Sequence, residues 1–323
     1  MRCWSLGEAL SQLGWQTKFA AVEATFECCP IVPTNARTIL SGATDGLEES
    51  CELLVVDHYG LDRCFESSAR RKAACVLVID DLVDREHDCD ILLDSATQHR
   101  DQAYKQLVPD ECVFLFGPRY ALLRPQFIAR RNELDRLESV RDSVQRILIS
   151  FGGSDTEAEV AMTLAGLKEA NVANDSIVVD LVLSRESSRT VDLKRFAMEM
   201  PYPVEVYVNV DDMAAMMMRA DISIGAAGST SWERCCLQLP SVILCIAENQ
   251  RVIASELEAA GAAINLGASG TVVASDICRA VRRLIDDGAA RGKMGLAAGE
   301  LCDGRGAERV SRFVSGEQNG LVE

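Results

Sequence analysis

Histidine is scarce: His58, His87 and His99 are the whole complement of a 323-residue chain. The 13 cysteines are scattered, include the adjacent pairs Cys28-Cys29 and Cys235-Cys236, and nowhere take C-x-x-C spacing. These absences argue against a zinc centre, and neither a metal nor a cofactor is expected. With no export signal at the amino end, the thiols are expected to stay reduced and to pack as small hydrophobes. No apolar run approaches bilayer-spanning length, so a cytoplasmic protein without a membrane partner is expected. Basic residues are outnumbered, 33 Lys and Arg against 49 Asp and Glu, for a net charge of −16. That balance argues against nucleic acid or an anionic lipid surface as partner. Long-range attraction for an anionic small molecule is missing too, so local amides and helix ends would have to hold it.

What is present is an ordinary globular composition, 48% hydrophobic and 25% charged. The length suits two domains of about 150 residues each. The apolar spacing of Trp4, Leu6, Ala9, Leu10 and Leu13 predicts an opening helix, and Lys18 to Val22 reads as a strand. Short apolar runs then predict strands at Leu53–Asp57, Val76–Asp80, Ile91–Asp94 and Val113–Phe116, the pattern of a parallel sheet covered on both faces. The charged stretch Leu134 to Ser143 reads as a linker. The alternation then restarts, with strands at Arg146–Phe151, Ile177–Leu183, Val204–Val208, Asp221–Ile224, Ser241–Cys245 and Ala263–Leu266. The expected architecture is α/β, with two Rossmann-like domains, 1–140 and 141–323, facing a cleft.

Three loops at predicted strand ends carry residues suited to chemistry. In Gly225-Ala-Ala-Gly-Ser-Thr-Ser231 a turn of small residues follows a strand and meets a helix that Thr230 or Ser231 can cap. Such a turn aims free N–H groups and a helix dipole at one point, which suits phosphate, and Gly225 and Gly228 let backbone approach a ligand. The spacing is not that of a Walker loop, and no lysine follows. An ordinary tight βα turn is the plain alternative. In Phe151-Gly-Gly-Ser-Asp155, paired glycines after a strand either bind an anion or merely precede a capped helix. In Val56-Asp-His-Tyr-Gly60, Asp57 ends a strand, His58 is a possible base or donor, and Tyr59 can contact a sugar; alternatively Asp57 caps the next helix. Glu233, in the first turns of its helix, either binds ribose hydroxyls or only complements the dipole, and Asn249 and Gln250 either read a sugar or open a helix.

These stretches, together with Gly117-Pro-Arg-Tyr-Ala-Leu-Leu-Arg-Pro125, Ser229-Thr-Ser-Trp-Glu-Arg-Cys-Cys236, Ala247-Glu-Asn-Gln250 and Asp303-Gly-Arg-Gly-Ala307, resemble the sugar-nucleotide hydrolases of pseudaminic acid biosynthesis. Those enzymes act on UDP-2,4-diacetamido-2,4,6-trideoxy-β-L-altropyranose and are relatives of the MurG-type glycosyltransferases with the GT-B fold. The resemblance runs along essentially the whole chain in the same order. It implies metal-free attack of water at the anomeric carbon with inversion, and UDP as leaving group. It places the diphosphate at Gly228, Ser229, Thr230 and Ser231 with Gly152, Gly153 and Ser154, the ribose at Glu233, and the sugar near Asn249, Gln250 and Tyr59.

The chain departs from that family at its start. The family's opening strand leads into a G-x-G-H-x-M-R-C loop whose histidine is the general base, whereas this sequence begins at Met1-Arg2-Cys3. A first strand and a catalytic histidine are therefore expected upstream, leaving Tyr59 and His58 as the catalytic candidates within the chain. Asp94-Ser95 stands where the family is expected to carry Gln-Asn. The expected function is UDP-sugar hydrolysis; the alternatives are a non-catalytic UDP-sugar binding protein and a MurG-like glycosyltransferase.

Overall fold

A computed structural model describes residues 1–29, 31–42, 49–134, 143–152, 156–170, 177–183 and 188–317. Helix α1 (Arg2–Gln12) buries Leu6 and Leu10 one turn apart, as the apolar spacing requires. Strand β1 (Phe19–Ala21), helix α2 (Glu23–Cys28) and strand β2 (Arg37–Ile39) follow, and β1 and β2 form a two-stranded parallel sheet of their own. Next come β3 (Cys51–Val56), α3 (Arg63–Ala69), β4 (Ala73–Ile79), β5 (Ile91–Asp94), α4 (Asp101–Tyr104) and β6 (Val113–Phe116). Their four strands make a parallel sheet in the order β3-β4-β5-β6.

Both faces of that sheet are covered, which is why its strands read as continuous apolar runs. Leu77 and Ile79 pack with Leu6 and Leu10 on one side, while Val76 and Val78 pack with Phe65 and Tyr104 on the other.

The chain continues through α5 (Pro125–Leu134), β7 (Arg146–Ser150), α6 (Glu157–Glu169), β8 (Val178–Leu183), α7 (Ser188–Met198), β9 (Val204–Val208) and α8 (Met213–Arg219). It goes on with β10 (Ile222–Ala226), α9 (Thr230–Cys236), β11 (Ser241–Cys245), α10 (Gln250–Ala259), β12 (Ala263–Ala268), α11 (Ala274–Asp286) and α12 (Gly288–Leu301), and closes on α13 (Gly306–Val314). Six of these strands form one parallel sheet, β12-β11-β10-β7-β8-β9. Its core joins Ile147 and Ile149 of β7 to Ile222 and Ile224 of β10, Leu164 of α6, and Ile277 and Val281 of α11.

The chain forms two compact units, residues 1–125 with 305–323, and residues 126–304. The expected halves were 1–140 and 141–323. The structure differs at both ends of the second unit, for specific reasons. Phe127 on α5 accepts a hydrogen bond through its carbonyl from the Cys236 thiol, tying that helix to the second unit. Ala307 and Val310 of α13 are buried in the cluster that contains Leu6 and Leu10, which returns the last helix to the first unit. Among the described residues no helix is long and apolar enough to cross a membrane.

Candidate functional site

In the six-stranded sheet, β7 and β10 are neighbours, but the chain leaves them in opposite directions, toward β8 and β9 on one side and β11 and β12 on the other. That is the 3-2-1-4-5-6 order of a doubly wound sheet. Its switch point leaves a crevice beyond the carboxyl ends of the two central strands, where such folds take ligands. Two of the three loops singled out in the sequence leave from this point. Gly152, at φ +86°, turns the chain out of β7 with a backbone that only glycine adopts easily. Gly153 and Ser154 lie outside the described residues.

The second loop differs in detail from the expectation. Gly225 and Ala226 are ladder residues of β10, not turn residues. A Cβ on Gly225 would stand 2.1 Å from the Ser150 carbonyl oxygen and 2.6 Å from Arg234 Nη1, so this glycine answers to packing beneath the loop rather than to ligand approach. The turn proper is Ala227 to Ser229, and α9 begins at Thr230. Neither Thr230 nor Ser231 caps it. Ser229 holds the N-cap position without a side-chain cap, and the Ser231 hydroxyl is buried, accepting from Arg234 Nη2 at 2.8 Å.

The amide inventory decides what this loop offers. Ala227 N–H donates to Leu244 O at 2.9 Å, Ser231 N–H to Gly228 O at 2.9 Å and Trp232 N–H to Ser229 O at 3.1 Å. Among the described residues the amides of Gly228, Ser229 and Thr230 have no intramolecular acceptor. Three successive open N–H groups at a helix start are an anion-binding arrangement. Gln250 comes to the same place: its Oε1 accepts the Ile246 amide at 2.9 Å, and its Nε2 lies 3.5 Å from where a Gly228 Cβ would be. Asn249 precedes it at the N-cap of α10 with no side-chain cap, and Glu233 is half-buried in the first turn of α9. The structure thus gathers Gly228, Ser229, Thr230 and Gln250, and turns Ser231 inward.

The first unit has its own polar cluster at the carboxyl ends of β3, β4 and β5. Asp57 does not cap α3; that role falls to Asp62, which accepts the Cys64 amide at 2.9 Å. Asp57 instead pairs with Arg2, whose Nε donates to Oδ2 at 3.2 Å and whose Nη1 lies 3.8 Å from Asp81. The half-exposed Tyr59 donates its hydroxyl to Asp81 Oδ2 at 3.4 Å. Burial, and then the Asp81 charge, push the phenol above its ordinary range. The exposed His58 accepts the Gly60 amide through Nδ1 at 3.0 Å, so the neutral ring carries its proton on Nε2.

Deeper in, burial works against the charge of Asp80. The Tyr104 hydroxyl at 2.8 Å, the Val83 amide and Arg85 outweigh it and hold the carboxyl below its usual range. Asp94 goes the other way. Burial pushes it up to about 6, although the Ala96 amide at 2.8 Å and Arg100 Nη1 at 2.9 Å favour its charge. Arg2 and Asp81 escaped sequence reading because their partners lie far along the chain; Arg100 escaped it although Asp94 is only six positions away. The only local signal was that acidic residues ended three successive predicted strands.

No family model matches the chain. It is 26% identical over 198 residues, 61% of its length, to the "Spore coat polysaccharide biosynthesis protein SpsG" of Bacillus subtilis, and spans 57% of that protein. It is 26% identical over 215 residues, 66% of its length, to the "UDP-2,4-diacetamido-2,4,6-trideoxy-beta-L-altropyranose hydrolase" of Campylobacter jejuni, spanning 73% of that protein. In structure it is similar to MurG of Acinetobacter baumannii, with a TM-score of 0.63 over 98% of this chain and 95% of that one, at 14% identity. The chain therefore has a two-unit α/β fold of the GT-B type, and it is related in sequence to a UDP-sugar hydrolase.

Proposed function

We propose that the chain hydrolyses UDP-2,4-diacetamido-2,4,6-trideoxy-β-L-altropyranose to UDP and the free sugar, a step of pseudaminic acid biosynthesis. The observation that carries this reading is the run of open amides at Gly228, Ser229 and Thr230, at the sheet's switch point and beside Gln250 Nε2. Relatedness to the Campylobacter hydrolase supports the choice of substrate.

In this reading the oxygen of a water molecule bonds to the anomeric carbon on the face opposite UDP. The bond to the diphosphate oxygen breaks, and its electron pair leaves with UDP. The open amides, with Gly152 beside them at the end of β7, meet the charge that develops on the leaving group, which is where prearranged donors lower a barrier most. Glu233 takes the ribose hydroxyls, and Asn249 and Gln250 take the sugar. Tyr59 and His58 remain the catalytic candidates. Tyr59, hydrogen-bonded to Asp81, relays the water's proton to that carboxylate, and the neutral His58 keeps its Nε2 proton and offers it only as a hydrogen bond to a substrate oxygen.

Incubating the purified chain with this nucleotide sugar in the presence of a metal chelator tests the proposal. Release of UDP, measured by chromatography, with inverted anomer in the first proton NMR spectra, is the expected result. Bound UDP-sugar without turnover leaves a binding protein, and a product with a new glycosidic bond leaves a glycosyltransferase.

A further inference from the structure

Ser231, Arg234 and Cys235 share the buried side of α9, so a guanidinium is directed into the interior of the second unit. Arg234 is 1% exposed. Its Nη2 donates to the Ala226 carbonyl and to Ser231 Oγ, whereas Nε and Nη1 meet no acceptor among the described residues, and no carboxylate pairs with it there. Space for it is kept by the missing side chain at Gly225, where a Cβ would crowd Nη1 at 2.6 Å. Burial pulls its pKa down to about 10, against weak opposing fields from Cys235 and Glu233.

Burying a cation without a counter-charge is heavily unfavourable, and a fold that keeps one is compensated elsewhere. The two acceptors locate the compensation. Ala226 and Ser231 flank the turn whose Gly228, Ser229 and Thr230 amides stand open, so the guanidinium braces that turn from its inner side.

We propose that Arg234 is a positioning residue for phosphate: it fixes both ends of the stretch between Ala226 and Ser231 and charges it from beneath, and a diphosphate on the open amides supplies the missing anion. Arg234 reaches the ligand through the turn and does not contact it. The inference rests on the reading above that this turn takes UDP, and it adds a source of positive potential in a chain whose net charge is −16. A passive brace would hold the turn's shape and treat every ligand alike. A charge supplier discriminates by phosphate content.

Calorimetric titration of the wild type, Arg234→Met and Arg234→Lys with UDP, UMP and uridine separates the two, with melting temperatures of the free proteins recorded alongside. Arg234→Met is expected to lose about 10- to 100-fold in UDP affinity, less for UMP and nothing for uridine. Its free form should melt no lower than wild type, because an uncompensated buried charge has gone. Arg234→Lys, which keeps the charge without the fork, should recover most of the UDP affinity, and it carries the test if the Met variant does not fold. Unchanged UDP binding in both variants, equal losses for all three ligands, or a Lys variant as weak as Met would each overturn the proposal. A wild type that binds no UDP would end the loop assignment itself and this inference with it. Tight wild-type binding that neither variant alters ends this inference alone.

Discussion

Ser150 and Gly225 face each other across the ladder between β7 and β10, so closely that a side chain on Gly225 would start 2.1 Å from the Ser150 carbonyl oxygen. Backbone cannot yield at the centre of a six-stranded sheet as a flexible side-chain tip can. Gly225→Ala is expected to cost about 1–3 kcal/mol or more in urea unfolding. Gly228→Ala should behave differently, since its new methyl meets only the end of the Gln250 side chain, Nε2 at 3.5 Å and Cδ at 4.0 Å. Stability within about 1 kcal/mol of wild type, with weaker UDP binding, is expected there. A Gly228 variant as unstable as the Gly225 variant would contradict the distinction.

Gln250 is held by its oxygen, which accepts the Ile246 amide, and presents its amide nitrogen toward Gly228. Losing that donor in Gln250→Ala should weaken UDP-sugar binding about 5- to 10-fold, the value of one net hydrogen bond. Gln250→Glu preserves size but turns a carboxylate toward an anion site, so its loss should exceed that of alanine. Calorimetry at low ionic strength checks the order, and equal losses would remove Gln250 from the site.

Asp94 has a folded pKa near 6, raised from 3.8 by burial. Between those values the folded state holds a proton that the unfolded state has released. The stability from this site is therefore present below about pH 4 and is lost as pH rises through 6. Asp94→Asn removes that dependence. The stability of the variant relative to wild type should rise by about 1–3 kcal/mol between pH 4 and pH 7, read from urea midpoints. A difference that stays flat across this range would show that Asp94 titrates normally.

His87 Nδ1 lies 2.7 Å from Glu66 Oε1, with both side chains fully buried, and Glu66 Oε2 accepts the Asp88 amide at 2.6 Å. Glu66→Ala strands both groups without water and should cost about 2–5 kcal/mol in chemical denaturation. UDP affinity, measured where the variant stays folded, should not change. A selective loss of UDP binding would give this pair a role beyond stability.

Most of the strand positions could be read from the chain because parallel strands covered on both faces are short unbroken apolar runs. The pairing of β7 with β10 was not legible, although both strand ends carried the glycine loops that had been singled out. Less legible were α7 and α12. The apolar residues of α12 are mainly Ala and Gly, and its stripe is weak, although Asp287 caps it by accepting the Ala290 amide at 2.9 Å. The inward turn of Ser231 was missed because a serine at a helix start reads as a cap, whereas here its hydroxyl accepts from Arg234 Nη2. Only the i, i+3 spacing of the two on one face hinted at burial. The pairing of Arg2 with Asp57 spans 55 positions, and no local pattern encodes such a contact.

Trp15 donates its indole proton to Ser315 at 3.0 Å, and α1 shares a core with α13, so the amino-terminal sheet is finished by the last turns of the chain. A ribosome emits residues 126–304 as one uninterrupted stretch that has all its own strands. The first-made sheet must wait for the final helix. Maturation is thus expected to run out of genetic order, with residues 126–304 settling before the sheet that α1 and α13 complete together.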